Sequence, residues 1–88
     1  MTNQEFINKV KRIVADYTNE HDDATDKAEP LHPDDVYIVW LCKTLQNSKA
    51  LASTPRLDGM YYEITYNGDK DEVYLDAYKK FENRRIEL

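Results

Sequence analysis

The chain has 88 residues, which allows one domain with a core only just large enough to stand alone and makes a deep catalytic cleft hard to fit. Its 41% apolar and 33% charged residues, with two Gly and three Pro, are the composition of a folded chain, not a disordered one. The formal charge of -5 argues against a protein that covers long duplexes, because Lys and Arg on phosphates supply most non-specific affinity.

Cys42 is the single cysteine, so nothing in the chain depends on an oxidising compartment. No apolar run approaches the roughly 20 residues needed to span a bilayer, and the start, MTNQEFINKV, is too polar for a signal peptide. An intracellular protein without membrane association is the expectation.

Thr2 precedes Glu5 at capping-box spacing, and Phe6, Val10, Ile13 and Tyr17 then repeat with Ile7 and Val14 alongside. This predicts an amphipathic helix over about 2–20, its stripe facing the core and Lys9, Lys11 and Arg12 in solvent. Residues 21–35 lack periodicity and carry two prolines, which reads as a connection. From Asp16 to Asp35 eight acids (Asp16, Glu20, Asp22, Asp23, Asp26, Glu29, Asp34, Asp35) face the single base Lys27, most simply a solvated loop.

From residue 36 the chain turns β-branched and aromatic. VYIVWLCKTL is apolar at both parities from Val36 to Cys42, as in a strand with neither face fully open to water. QNSK and PRLDG are turn signals, and NGDK separates MYYEITY from EVYLDAY. Strands over about 36–45, 49–54, 60–67 and 71–79 follow, with a tail over 80–88 that either prolongs the last strand or makes a short helical turn. The expected fold is α+β: one N-terminal helix on one face of a four-stranded antiparallel meander.

Register decides where the tyrosines point. A two-residue Asn67-Gly68 turn would set Glu63 across from Glu72, and like charges directly opposite destabilise a pair. A loop over 67–70 instead pairs Ile64 with Val73, Tyr62 with Leu75 and Met60 with Ala77, and is preferred. Either register keeps parity, so Met60, Tyr62, Ile64, Val73, Leu75 and Ala77 share one face. The same counting adds Val39, Leu41, Leu45, Ala50 and Ala52, and the two alanines leave room for a close helix. Val10, Ile13, Tyr62, Ile64, Val73 and Leu75 are the expected heart of the core.

The reverse face then holds Val36, Ile38, Trp40, Cys42, Leu51, Tyr61, Glu63, Thr65, Tyr74, Asp76 and Tyr78. No second helix is available to cover it. Trp40, Tyr61, Tyr74 and Tyr78 are therefore candidate partner-binding residues, since large aromatic side chains are enriched in interface cores. A bland reading stands beside this one: tyrosines tolerate a half-wet sheet, and Phe81 and Ile86 of the tail could fold back over it.

Signals for chemistry are thin. His21 with Asp22 and Asp23, and His32 with Asp34 and Asp35, have ligand types a divalent metal uses, but no regular spacing, so no metal or cofactor is expected. Cys42 sits among apolar neighbours with no base in evident reach and reads as a buried or half-buried thiol. Gly59 and Gly68 both belong to turns, which leaves no phosphate-binding loop. No catalytic residue is assigned.

Lys79, Lys80, Arg84 and Arg85 lie near Tyr74 and Tyr78, and rings beside cations can stack on single-stranded bases, which keeps a nucleic-acid reading open. An acidic loop occupying a host protein's basic groove is a further idea, supported by charge complementarity alone.

The runs CKTLQN, YYEITYNGDK and YLDAYKKFEN, with TNQEFINKVK at the start, resemble a family of small uncharacterised proteins encoded by temperate phages and prophages of Gram-positive bacteria. The resemblance implies a bacterial cytoplasm and transfers no catalytic or binding residue. The expectation is a small non-enzymatic interaction module with a protein partner, host or phage, of which a homodimer is the simplest case.

Overall fold

The helix begins where the capping box places it. Thr2 Oγ1 accepts from the Glu5 amide at 3.1 Å, and the Glu5 carboxylate accepts from the Thr2 N–H at 3.4 Å. These bonds satisfy donors that the first helical turn leaves without partners. In the computed structural model, which describes residues 1–21 and 29–88, helix α1 (Asn3–His21) lies on a four-stranded antiparallel sheet. The strands β1 (Tyr37–Thr44), β2 (Asn47–Ser53), β3 (Met60–Asn67) and β4 (Glu72–Lys79) follow one another in a meander of order β1-β2-β3-β4.

The buried stripe of α1 is Phe6, Val10, Val14, Ala15 and Thr18, while Ile13 and Tyr17 flank it half-buried. The expected line through Ile13 and Tyr17 is therefore corrected by a modest rotation of the helix: positions four apart from Phe6 run through Val14 and Thr18. Thr18 Oγ1 lies 3.5 Å from the Tyr62 hydroxyl, and Tyr17 meets the Tyr62 ring edge-on at 5.5 Å. Ala50 and Ala52 are fully buried beneath the helix, where a larger side chain would lift it off the sheet.

Asn19 holds the chain after the acidic segment. Its side-chain amide donates to the Leu31 carbonyl at 2.9 Å and accepts from the Leu31 amide at 2.7 Å, which seats Leu31 in the core. His32 then caps the short 3-10 turn Pro33–Asp35 through Nδ1, which accepts from the Asp34 amide. Asp22, Asp23 and Asp26 lie outside the described residues.

A β-bulge corrects the expected faces of β1. Ile38 pairs with Ala52 and Trp40 with Leu51, so Val39 is an extra residue and parity resets across it. Val36 and Ile38, expected on the reverse face, thus turn into the core, and Val39, expected inside, is exposed. Beyond the bulge Leu41 faces the helix as expected. Leu45, also expected inside, forms the β1–β2 turn with Gln46, at φ 55°, and is 84% exposed.

The last hairpin has a four-residue loop, but over 68–71 instead of 67–70. Ile64 pairs with Leu75, Tyr62 with Ala77 and Tyr66 with Val73. The slip of one residue in the loop moves each partner by two and so leaves every side chain on its expected face. Asn67 Oδ1 accepts from the Asp69 and Lys70 amides, and Asp71 takes the left-handed conformation that closes the loop, at φ 52°.

The backbone of the helix lies nearest β1 and β2 and its side chains reach Tyr62 of β3, while the substantial contacts of β4 are with β3 alone. Val10, Tyr62 and Ile64 are fully buried and Leu75 half-buried, but Val73 is 39% exposed because it lies past the edge of the helix. The radius of gyration is 14.4 Å, against about 12 Å for a compact chain of this length. A thin two-layer slab with an uncovered end accounts for the excess: residues 80–88 follow β4 outside any helix or strand, and all are exposed.

Candidate interaction surface

Three cross-strand rows make up the centre of the sheet face away from α1. Tyr37, Ser53, Tyr61 and Tyr78 form the first, Trp40, Leu51, Glu63 and Asp76 the second, and Cys42, Lys49, Thr65 and Tyr74 the third. Alternation along β2, β3 and β4 fixes which residues enter these rows, and the bulge at Val39 returns Trp40 and Cys42 to them.

All four residues singled out in the sequence, Trp40, Tyr61, Tyr74 and Tyr78, stand on this face, and Trp40, Tyr74 and Tyr78 are exposed while Tyr61 is partly so. Tyr37 joins Tyr61 and Tyr78 in the first row and is absent from the expected set, because the unbroken period-two count across Val39 gives it the wrong parity. Nothing in the sequence marks the bulge.

The tail does not cover these rings. Phe81 is 97% and Ile86 72% exposed, so the fold-back that would have buried Trp40 and Tyr61 does not occur. The face is not uniformly apolar. Lys49 Nζ lies 3.1 Å from Glu63 Oε1 across neighbouring strands, and Asp76 stands directly opposite Glu63. The Tyr74 hydroxyl donates to the Glu72 carboxylate, a bond that pushes the phenol's pKa up, with the nearby negative charge adding to the effect.

The basic residues divide. Lys80 Nζ stands 6.0 Å from the centre of the Tyr61 ring, on the aromatic face. Lys79 has the opposite parity and belongs to the helix side. Arg84 and Arg85 pair with Glu82 at 2.9 Å and Glu87 at 3.3 Å in the tail. The four therefore do not form one patch on the face that carries the rings.

The metal-type residues are separate. The His21 ring stacks on Tyr17 at 4.0 Å, with Nδ1 2.9 Å from the Tyr17 carbonyl, while His32 spends its Nδ1 on the cap. Among the described residues no three His, Cys, Asp or Glu side chains gather as a metal site would require. Cys42 is exposed on the outer face, which corrects the expected burial. Among the described residues no helix is long and apolar enough to cross a membrane.

A family model described as a family of unknown function, DUF6275, matches residues 7–88. No curated protein and no solved structure matches the chain.

Proposed function

The chain belongs to the DUF6275 family of unknown function, and from that premise we propose that it is a small non-enzymatic module that binds a protein partner through the open sheet face. One observation carries this reading: Tyr37, Trp40, Tyr61, Tyr74 and Tyr78 share a face that neither the helix nor the tail covers. Exposed aromatic side chains gathered on one face cost solubility unless they are used, and such patches commonly mark interaction sites. The charges between the rings, Lys49, Glu63 and Asp76, give the surface polar positions that orient a partner. The resemblance of CKTLQN, YYEITYNGDK and YLDAYKKFEN supports a setting in the bacterial cytoplasm under phage or prophage expression.

Capture from a bacterial lysate, with nucleic acid recovered in parallel, tests the reading. Tyr61→Asp with Tyr74→Asp should leave the melting temperature nearly intact and abolish capture of the protein partner. A double variant that still captured it would place the interface elsewhere.

A second reading has Lys80 beside Tyr61 in its favour: the pair could stack and neutralise a single-stranded nucleic acid, with Arg84 and Arg85 of the tail nearby in sequence. Glu63, Asp76 and Glu72 on the same side weigh against it. Salt separates the two, since phosphate binding weakens steeply with ionic strength and an aromatic protein interface does not.

A further inference from the structure

Strand β4 ends the sheet, and among the described residues no strand pairs along its outer edge. The other edge strand, β1, carries a bulge, a device that discourages edge pairing. β4 has no bulge and no proline, and residues 80–88 follow it exposed and outside any helix or strand. The Lys80 amide donates to the Gly59 carbonyl at 2.8 Å, so even-numbered residues turn their backbone groups toward β3. By alternation, Val73, Leu75, Ala77, Lys79 and Phe81 present theirs to the free edge.

The side chains along this edge carry a charge problem. Asp76 stands opposite Glu63, like against like, and Glu63 already has Lys49 as its cation. Among the described residues the Asp76 carboxylate has no ion pair and no hydrogen bond, and the Lys80 ammonium has no carboxylate within ion-pair distance. The two are four residues apart on one face of one strand, too far along an extended chain to meet each other.

We propose that β4 and the start of the tail pair antiparallel with the same segment of a second copy, about a twofold axis at Tyr78. In that register Asp76 of each copy lies opposite Lys80 of the other, and Glu72 opposite Arg84. Leu75, at the limit of the helix's cover, lies opposite Phe81, so the most exposed ring near the sheet covers the least protected part of the core. Tyr78 meets its own copy, an aromatic pair of the kind that stabilises adjoining strands.

Neighbouring registers do not match. An axis at Asp76 sets Asp76 against itself, one at Ala77 sets Glu72 against Glu82, one at Lys79 sets Asp76 against Glu82, and one at Lys80 sets Lys80 against itself. The pairs within the tail, Arg84 with Glu82 and Arg85 with Glu87, are exposed and weak enough to exchange. The inference rests on the strand edge and its charges, not on the aromatic face, so either proposal can fail without the other. The two sheets would join edge to edge into one, with the aromatic faces of both copies on the same side.

The axis gives a geometric test. Tyr78 of the two copies would form a non-hydrogen-bonded pair with Cα atoms about 4.5 Å apart, within the range of about 4.4–6.8 Å that a disulfide spans. In a Cys42→Ser background, Tyr78→Cys should cross-link into a dimer under mild oxidation. Tyr74→Cys should not, its two copies lying about 27 Å apart.

Sedimentation supplies the second arm. Asp76→Lys relieves the clash with Glu63 inside the chain, so the variant folds at least as well as the parent, yet it sets the introduced ammonium against Lys80 twice across the axis. It should weaken the dimer about tenfold or more, and Asp76→Lys with Lys80→Asp should restore it. A parent chain that stays monomeric at hundreds of micromolar, a dimer indifferent to Asp76→Lys, or equal cross-linking through position 74 would overturn the proposal.

Discussion

Gly68 in the β3–β4 loop rests directly on Gln46 in the β1–β2 turn. A Cβ added to Gly68 would stand 2.2 Å from the Gln46 carbonyl oxygen and 2.5 Å from its Cβ, with no flexible end to move aside. The Gly68 amide also donates to Asn47 Oδ1 at 3.0 Å, and Gln46 Nε2 donates to Asp69 at 3.0 Å, so the two turns are locked together. Asn-Gly here serves close approach, not a positive φ: the only glycine with one is Gly59, at 69°.

Gly68→Ala should therefore destabilise the protein by about 1 to 3 kcal/mol, the cost of forcing a methyl group into a filled space. The urea midpoint reads it. Equal stability in the variant would mean that the two turns part without cost.

Ile64 faces the helix and is fully hidden from water, paired with Ala50 on one strand and Leu75 on the other. Ile64→Ala should cost about 2 to 5 kcal/mol. Val73→Ala, on the same face but past the edge of the helix, should cost less than about 1 kcal/mol, because little burial is lost. Similar losses at the two positions in chemical denaturation would contradict a helix whose cover stops short of Val73.

Glu5 ties the capping box to pH. The Thr2 amide, and secondarily its hydroxyl, hold the Glu5 carboxyl below its ordinary pKa. A lowered pKa in the folded state adds stability that is present above the ordinary carboxylate range and is lost as pH falls through the lowered value. Glu5→Gln should be slightly less stable than the parent at neutral pH, and the gap should close in acid, where Glu5 itself is protonated. Melting curves over a pH series check this; a gap that persists unchanged in acid would show that the charge plays no part.

The phenols of Tyr66 and Tyr74 offer an alkaline counterpart. Each donates to a carboxylate, Tyr66 to Asp71 at 2.9 Å and Tyr74 to Glu72, and each is held above its ordinary pKa. A raised pKa keeps the phenol, and the bond it donates, in place to higher pH. In a spectrophotometric titration the Tyr66 and Tyr74 phenols should ionise late, and Asp71→Asn with Glu72→Gln should bring them earlier. Late ionisation that survives both substitutions would assign the shift to burial instead.

Local chemistry was legible because it depends on near neighbours. The capping box, the helix, the order of the strands and the shared face of Met60, Tyr62, Ile64 and Leu75 all follow from spacing, and they survive a slip of the last hairpin since a shift of two residues preserves parity. The placement of Trp40, Tyr61, Tyr74 and Tyr78 on one face followed in the same way. What depends on contacts between distant segments was not legible. Whether Val39 bulges is decided by how an edge strand fits its neighbour, and that single extra residue moves Val36 and Ile38 into the core and Tyr37 out of it. The helix is one element wide, so its position over β1 and β2 leaves Val73 and Ala77 uncovered, a consequence of docking that no period in β4 encodes. The opposition of Glu63 and Asp76 likewise arises only when a loop of particular length brings β4 against β3, and with it the unpaired charge on the open edge.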